Sequence, residues 1–236
     1  MSADILHSGA APTNTALDLA ALSVREVNAA LQVAESGAFD VLSPGGAHAL
    51  ACGLDAPVEV RILGHAGYYA AGMNKQASVR IEGNVGTGCA ENIMSGLVRV
   101  AGDASQSLGA SGHGGLVVVQ GSASARAGIS MKGVDIVVGG DVGHMSAFMA
   151  QAGRLVVLGD AGADLGDSLY EAELFVRGRV ASLGADCEEK PMTEAHREAL
   201  AALLSQAEMS ADPASFRRYG SARRLYHFSI DNLGAY

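Results

Sequence analysis

Cysteine is scarce here: three residues in 236, with no Cys-x-x-Cys pair among them. That excludes a disulfide framework and the common zinc and redox spacings, and it fits a reducing compartment. No run of eighteen apolar residues occurs, so no membrane-spanning helix is expected. The opening stretch MSADILHSGAAPTNT lacks the basic start and apolar centre of a secretory leader, which points to the cytoplasm. Basic residues are outnumbered, 16 Lys and Arg against 25 Asp and Glu. The resulting net charge of −9 argues against general binding to nucleic acid or anionic membranes. A phosphate-binding loop is missing too. GNVGTG (83–88) has a superficial dinucleotide-fingerprint look, but no helix pattern follows it. His65, His113 and His144 do not share a phase that would line them up as metal ligands. Asp160, Asp164 and Asp167 read as solvated loop acids, and Lys75 and Lys132 as exposed loop lysines.

What the chain does have is a beat. Gly64, Gly83, Gly102, Gly121, Gly140, Gly159 and Gly178 recur every 19 residues, and Gly45 extends the series one step back. Four and two residues before each glycine stand aliphatic pairs, from Val60/Ile62 through Val117/Val119 to Leu174/Val176. Two residues after it stands Ala or Val, and seven after it Ala or Gly. A fixed period near twenty marks a solenoid, one unit stacked on copies of itself. The i, i+2 pairs read as a short strand with one inward face, and the glycine as a corner with φ > 0 or a close backbone approach. Nineteen residues are too few for a strand, a full helix and a return. The expected fold is an all-β solenoid: a single-stranded parallel β-helix, right-handed by the usual crossover rule. Its bore is filled by Val, Ile, Leu and Ala. Parallel strands lie about 4.8 Å apart, so six intervals give a core roughly 29 Å long. Cys52 and Cys89 fall at or beside the small inward row and read as buried structural thiols.

Three parts follow: an arm and capping helix (1–40), the β-helix (41–190), and a helix with an Arg/aromatic tail (191–236). Residues 1–15 look mobile, with a short extended piece after them. Ser23-Val-Arg-Glu26 is a capping box, and a helix follows with Val24, Val27, Leu31 and Ala34 on one face, stopped by Gly37. This helix is placed to cover the open end of the coil. Thr193 caps a second helix, with Leu200, Leu203, Leu204 and Ala207 on one face and Pro213 at its close.

Three features suggest contact with another chain. The loops on one side carry Tyr68, Tyr69, Met73, Met94, Met131 and Met149; adaptable methionines there either pack on the core or dock a partner. Leu116, Val118, Val137 and Val156 form an outward apolar strip that something must cover, either the C-terminal helix or a partner. The tail FRRYGSARRLYHFSIDNLGAY holds Arg217, Arg218, Tyr219, Arg223, Arg224 and Tyr226. It either folds back along the coil or anchors on a partner.

With those stretches laid out, the chain resembles the C-terminal GXGXG β-helix domain of the glutamate synthase large subunit, in its stand-alone form. The likeness covers about residues 40–190. It is strongest in GYYAAGMNKQ (67–76), GTGCAENIMSG (86–96), GASGHGG (109–115), GISMKGVDIVVGGDVGHMSAFMAQAG (128–153) and GDSLYEA (166–172). SLGADC (182–187) and FRRYGSARRLYHF (216–228) share it. The resemblance implies a structural subunit of an N-methylglutamate synthase-like complex, which exchanges methylamine for ammonia on glutamate. It implies two partners, a glutamine-amidotransferase-like subunit and a synthase subunit with FMN and an iron–sulfur cluster. No catalytic, cofactor-binding or metal-ligating residue is expected on this chain. An amidotransferase of this kind has an N-terminal cysteine nucleophile where Ser2 follows Met1 here, and the three cysteines stand too far apart in sequence for a cluster. The resemblance leaves two alternatives. One is an ammonia-using glutamate synthase-like enzyme. The other, a more distant likeness, is a component of a formylmethanofuran dehydrogenase or formyltransferase/hydrolase complex.

Overall fold

A computed structural model describes residues 14–223 as a parallel β-solenoid of about seven turns. One strand per turn builds the main sheet: β2 (Gly37–Leu42), β3 (Val58–Ile62), β4 (Ser78–Ile81), β5 (Leu97–Val100), β6 (Leu116–Val119), β7 (Lys132–Val138), β8 (Ala152–Val157) and β9 (Glu173–Val176). Each pairs in parallel with the next, and from β3 to β9 the register is the 19-residue beat: Val60 on Val79, Val79 on Val98, Val98 on Val117. The inward columns Val60–Leu174 and Ile62–Val176 are buried throughout. A second column of parallel bridges runs from Ala66 through Val85, Ala104, Ala123, Val142 and Ala161 to Val180, the positions two residues after each glycine.

The periodic glycines serve close approach more than backbone freedom; of the seven, only Gly64 has a positive φ. The residue after each of the first six projects a polar acceptor over the next turn. Asn84 Oδ1 receives the backbone N–H of Asp103, Asp103 that of Ser122, Ser122 Oγ that of Asp141, Asp141 that of Asp160, and Asp160 that of Arg179. His65 Nδ1 begins the series by accepting from Asn84 N. The six rungs measure 2.7–3.0 Å. A Cβ on Gly121 would meet Asp103 Oδ1 at 2.2 Å, and one on Gly140 would meet Ser122 Oγ at 2.4 Å. The glycine column is the space through which the ladder passes.

The corner opposite is built from alternating left-handed residues. Five, seven and nine residues after the glycine φ is near +60°, as at Tyr69, Ala71 and Met73, or Met145, Ala147 and Met149. Their N–H groups are all bonded to neighbouring turns at 2.7–3.0 Å, the seventh backward (Ala71 to Leu50 O) and the fifth and ninth forward (Tyr69 to Thr87 O, Met73 to Glu91 O). The seventh position is limited to Ala or Gly because it is left-handed and buried; a Cβ on Gly109 would already press Ile136 Cδ1 at 2.7 Å. The last turn is one residue short: Leu165 pairs with Leu183, and Asp186 takes the left-handed slot. Ala185, which the spacing places in the small row, is exposed instead.

Both ends depart from the sequence expectation in detail. The coil begins before residue 41, because β2 already pairs with β3 and also with β1 (Thr15–Asp18). Phe39 stands opposite Val60, two residues beyond the regular spacing, so the period does not reveal it. Helix α1 (Val24–Val33) has the expected capping box and buries Val27 and Leu31. It ends at Ala34, while Gly37 opens β2 rather than stopping the helix. Its amides replace the missing turn below. Asn28 donates to Ala49 O and accepts from Ala51 N, and Gln32 donates to Cys52 O. At the far end, β10 (Cys187–Lys190) precedes helix α2 (Glu194–Ala207), and the chain then returns as β11 (Arg217–Ser221). β11 inserts antiparallel between β9 and β10, ending the parallel stack. Glu208 in a left-handed cap closes α2, and Pro213 opens a separate 3-10 turn.

Val117→Asp puts a carboxylate between Val98 and Ile136 in the filled bore, with no partner. A loss of about 4–5 kcal/mol is expected in urea unfolding; a wild-type midpoint would show that the column does not face inward. Gly140→Ala should cost about 1–3 kcal/mol by overpacking. Adding Ser122→Ala removes the struck Oγ, so the two changes should couple favourably by about 1 kcal/mol in a double-mutant cycle, where strict additivity would deny the glycine this role.

Candidate partner interface

The outward strip is closed by the chain itself. Val118, Val137, Val156 and Phe175 are fully buried beneath Leu200, Leu203, Leu204 and Ala207 of α2 and Phe216, with Leu116 half-buried at the margin. A strip of Val and Leu on adjacent strands matches one apolar helix face, so no second chain is needed to keep it dry. Leu116, Val118, Val137 and Val156 are therefore internal packing residues and not an interface. Arg99 fixes the helix end: its guanidinium donates to Ala207 O at 2.8 Å and Gln206 O at 2.6 Å and pairs with Glu208 at 3.1 Å. A cation on the exposed carbonyls of a helix C-terminus is favourable both as hydrogen bond and as charge. In the sequence Arg99 looks like any other outward charge of the strands, with no sign of the helix it holds.

The start of the tail, Arg217–Ser221, folds back as β11. Tyr219 is buried with Leu174 on one side and Glu189 on the other. Arg218 is held by Glu173 at 2.8 Å and by the carbonyl of Pro191. Arg217 donates to Gly178 O, and Arg223 forms an ion pair with Asp186. Arg218 and Tyr219 are thus committed to the end of the coil, and partner anchoring is replaced for them by strand pairing. Arg217 and Arg223 keep part of their surface. Arg224 and Tyr226 lie outside the described residues.

The loop face divides. Met131 is fully buried: it stands ten residues after Gly121, in an inward column with Asn74, Ile93, Ala150 and Leu169. Its assignment to the surface fails because the tenth position after the glycine is buried in every turn from Gly64 to Gly159. Tyr68, Tyr69, Met73, Met94 and Met149 are exposed by 44–56%. Tyr68 stacks on His48 with ring centres 4.5 Å apart. Added Cβ atoms on Gly86 and Gly88 would strike the rings of Tyr68 and Tyr69 at 2.6 and 2.7 Å, so these glycines form a shelf under the pair. Beside them a shallow hollow of about 150 Å³ is lined by Cys52, Tyr69, Gly72, Met73, Glu91 and Asn92.

No family model matches the chain. Among curated proteins, Protein GlxC of Rhizobium meliloti (strain 1021) is 56% identical over 225 residues, covering 93% of this chain and 99% of the relative. This chain belongs to the GlxC family.

All three cysteines of this GlxC-family chain are free thiols. Burial pushes the Cys89 thiol up to about 12 and the Cys187 thiol up to about 11, and burial raises Cys52 as well. Cys89 and Cys187 are also five turns apart, about 24 Å at the spacing of parallel strands. Among the described residues, no three His, Cys, Asp or Glu side chains form a group that could hold a metal ion, and no helix is long and apolar enough to cross a membrane.

Arg99→Ala leaves the C-terminal carbonyls of α2 without their donor. A loss of about 1.5–3 kcal/mol is expected in chemical unfolding, with faster amide exchange in the last turns of α2. Unchanged exchange there would show that apolar packing alone seats the helix.

Proposed function

We propose that this chain is a non-catalytic scaffold subunit of a glutamate synthase-related complex of the N-methylglutamate synthase type. In that reading it braces a glutamine-amidotransferase-like subunit against an FMN- and iron–sulfur-bearing synthase subunit, in the cytoplasm. The complex converts glutamate and methylamine to N-methylglutamate and ammonia. The observation that carries the proposal is the filled interior. The columns Val60–Leu174 and Ile62–Val176 stand in van der Waals stacks, and Leu108, Ala127, Met131 and Leu169 close the corner side. A site for glutamate and a reducible cofactor needs an enclosed hollow with converging polar groups. Among the described residues the hollows are open depressions, and the carboxylates and cations around them are solvated or paired near the surface. The loop stretches that carry the likeness to the stand-alone β-helix subunit, such as GYYAAGMNKQ and GISMKGVDIVVGGDVGHMSAFMAQAG, support the choice of complex. So does full-length similarity to a GlxC protein.

The test is reconstitution from separately purified subunits, with N-methylglutamate followed by mass spectrometry. Product is expected only when the two partner subunits are present, with a yield at least tenfold lower when this chain is omitted. That drop is an order-of-magnitude expectation for losing the positioning of two active subunits. Turnover by this chain alone would end the scaffold reading. Product from ammonia-type chemistry alone, with no response to methylamine, would move the complex to an ordinary glutamate synthase.

A further inference from the structure

Charge is sorted unevenly around the coil. The ladder edge carries Asp103, Asp141 and Asp160. Across the molecule, three successive corners, 104–115, 123–133 and 142–153, contain no aspartate or glutamate at all. They contain His113, Arg126, Lys132 and His144, in a chain whose net charge is −9. Arg126 and Lys132 are exposed, stand in the same turn, and have no ion pair or side-chain hydrogen bond among the described residues. Most other cations of the chain are paired, including Arg61, Lys75, Arg80, Arg154 and Arg179.

The backbone adds a second observation. Arg126 has φ +60° and Met149 φ +54°. Glycine would hold such positions at lower cost, as Gly88 does in the column of Arg126. Both side chains are exposed. The left-handed backbone is held by a bond from each N–H to the next turn, Arg126 to His144 O and Met149 to Asp167 O, both at 2.9 Å, and this fixes where the two exposed side chains leave the coil.

We propose that this corner face, with the exposed Arg126 and Lys132 on either side of half-buried Ile129 in one turn and exposed Met149 in the next, docks a partner subunit that presents carboxylates around an apolar centre. The inference rests on the complex proposed above and names the face it uses. Charge complementarity selects the partner: an acidic surface is drawn to this face and repelled by the ladder edge. The inter-turn hydrogen bonds hold the face rigid, so docking orders little backbone.

The experiment measures binding of this chain to the purified amidotransferase-like and FMN-binding subunits, with Arg126→Glu/Lys132→Glu compared against a control reversal, Arg25→Glu/Arg197→Glu. Lys132→Glu alone, at an ordinary backbone position, repeats the test should the double variant melt early. The wild type is expected to bind one subunit. The face reversal should weaken that binding by about tenfold or more, and the control by less than about twofold. Raising salt from about 0.05 to 0.5 M should weaken the wild type more than the reversed variant. If the wild type binds and the face reversal binds equally well, this face is wrong while the complex stands. If the wild type binds neither subunit, the complex falls and the face with it. If the chain alone is a dimer that the reversal splits, a second copy occupies the face and the partner assignment is overturned.

Discussion

Hydrogen bonding between successive turns is the constraint everything else obeys. A β-strand can offer N–H and C=O to both neighbours at one spacing, but a coil must also turn corners without dropping out of that spacing. This chain does so by making every second corner residue left-handed, so that N–H groups point forward, backward and forward again at the fifth, seventh and ninth positions. Each left-handed residue other than glycine costs about 1 kcal/mol or more. Tyr69, Met73, Arg126, Met145 and Met149 hold that conformation only because the turns on either side receive their amides. No turn is satisfied alone, so stability is shared between neighbours and the ends need substitutes. Asn28 and Gln32 supply side-chain amides at one end, and the reversed strand β11 caps the other.

That constraint explains which parts of the molecule are legible in the sequence. The inward columns are, because burial demands one residue class at each and the class repeats on the period. The polar ladder is not. His65, Asn84, Asp103, Ser122, Asp141 and Asp160 share nothing but an acceptor at the right reach, so no identity repeats. Only the glycine that makes room for it shows. Met131 is misplaced by sequence for a related reason. Residues 129–133 look like a loop in one turn, yet the column Ile93, Met131, Ala150, Leu169 has the apolar character of an inward row. The outward strip is legible as something needing cover, and the helix face Leu200, Leu203, Leu204, Ala207 is legible too. What joins them is Arg99, whose partners are backbone carbonyls 107 and 108 residues away and leave no pattern in the sequence.

Of the candidate contact residues that are described, the structure uses up the strip and, in the tail, Arg218 and Tyr219, and leaves the corner face. This follows from geometry. The sheet face of a β-helix presents a regular pleat that a helix can cover, and here α2 covers its apolar half. The ladder edge is occupied by its own side chains, each bent onto the next turn. The corner is where outward side chains at successive turns stand about 4.8 Å apart with no element above them among the described residues.

A surface of that kind suits a brace better than a catalyst. Its side chains can vary from turn to turn, because only the backbone conformation is fixed by the stack. Tyr68 and Tyr69 on their glycine shelf, and Met94 and Met149 further along the coil, sit on one rigid frame whose spacing is set by strand pairing. A partner touching two such points is held at a distance that does not breathe with loop motion. Rigidity of the coil thus becomes a fixed separation between whatever docks on it. A filled bore is the condition for this, since the stack stays straight only while every inward column is packed to contact.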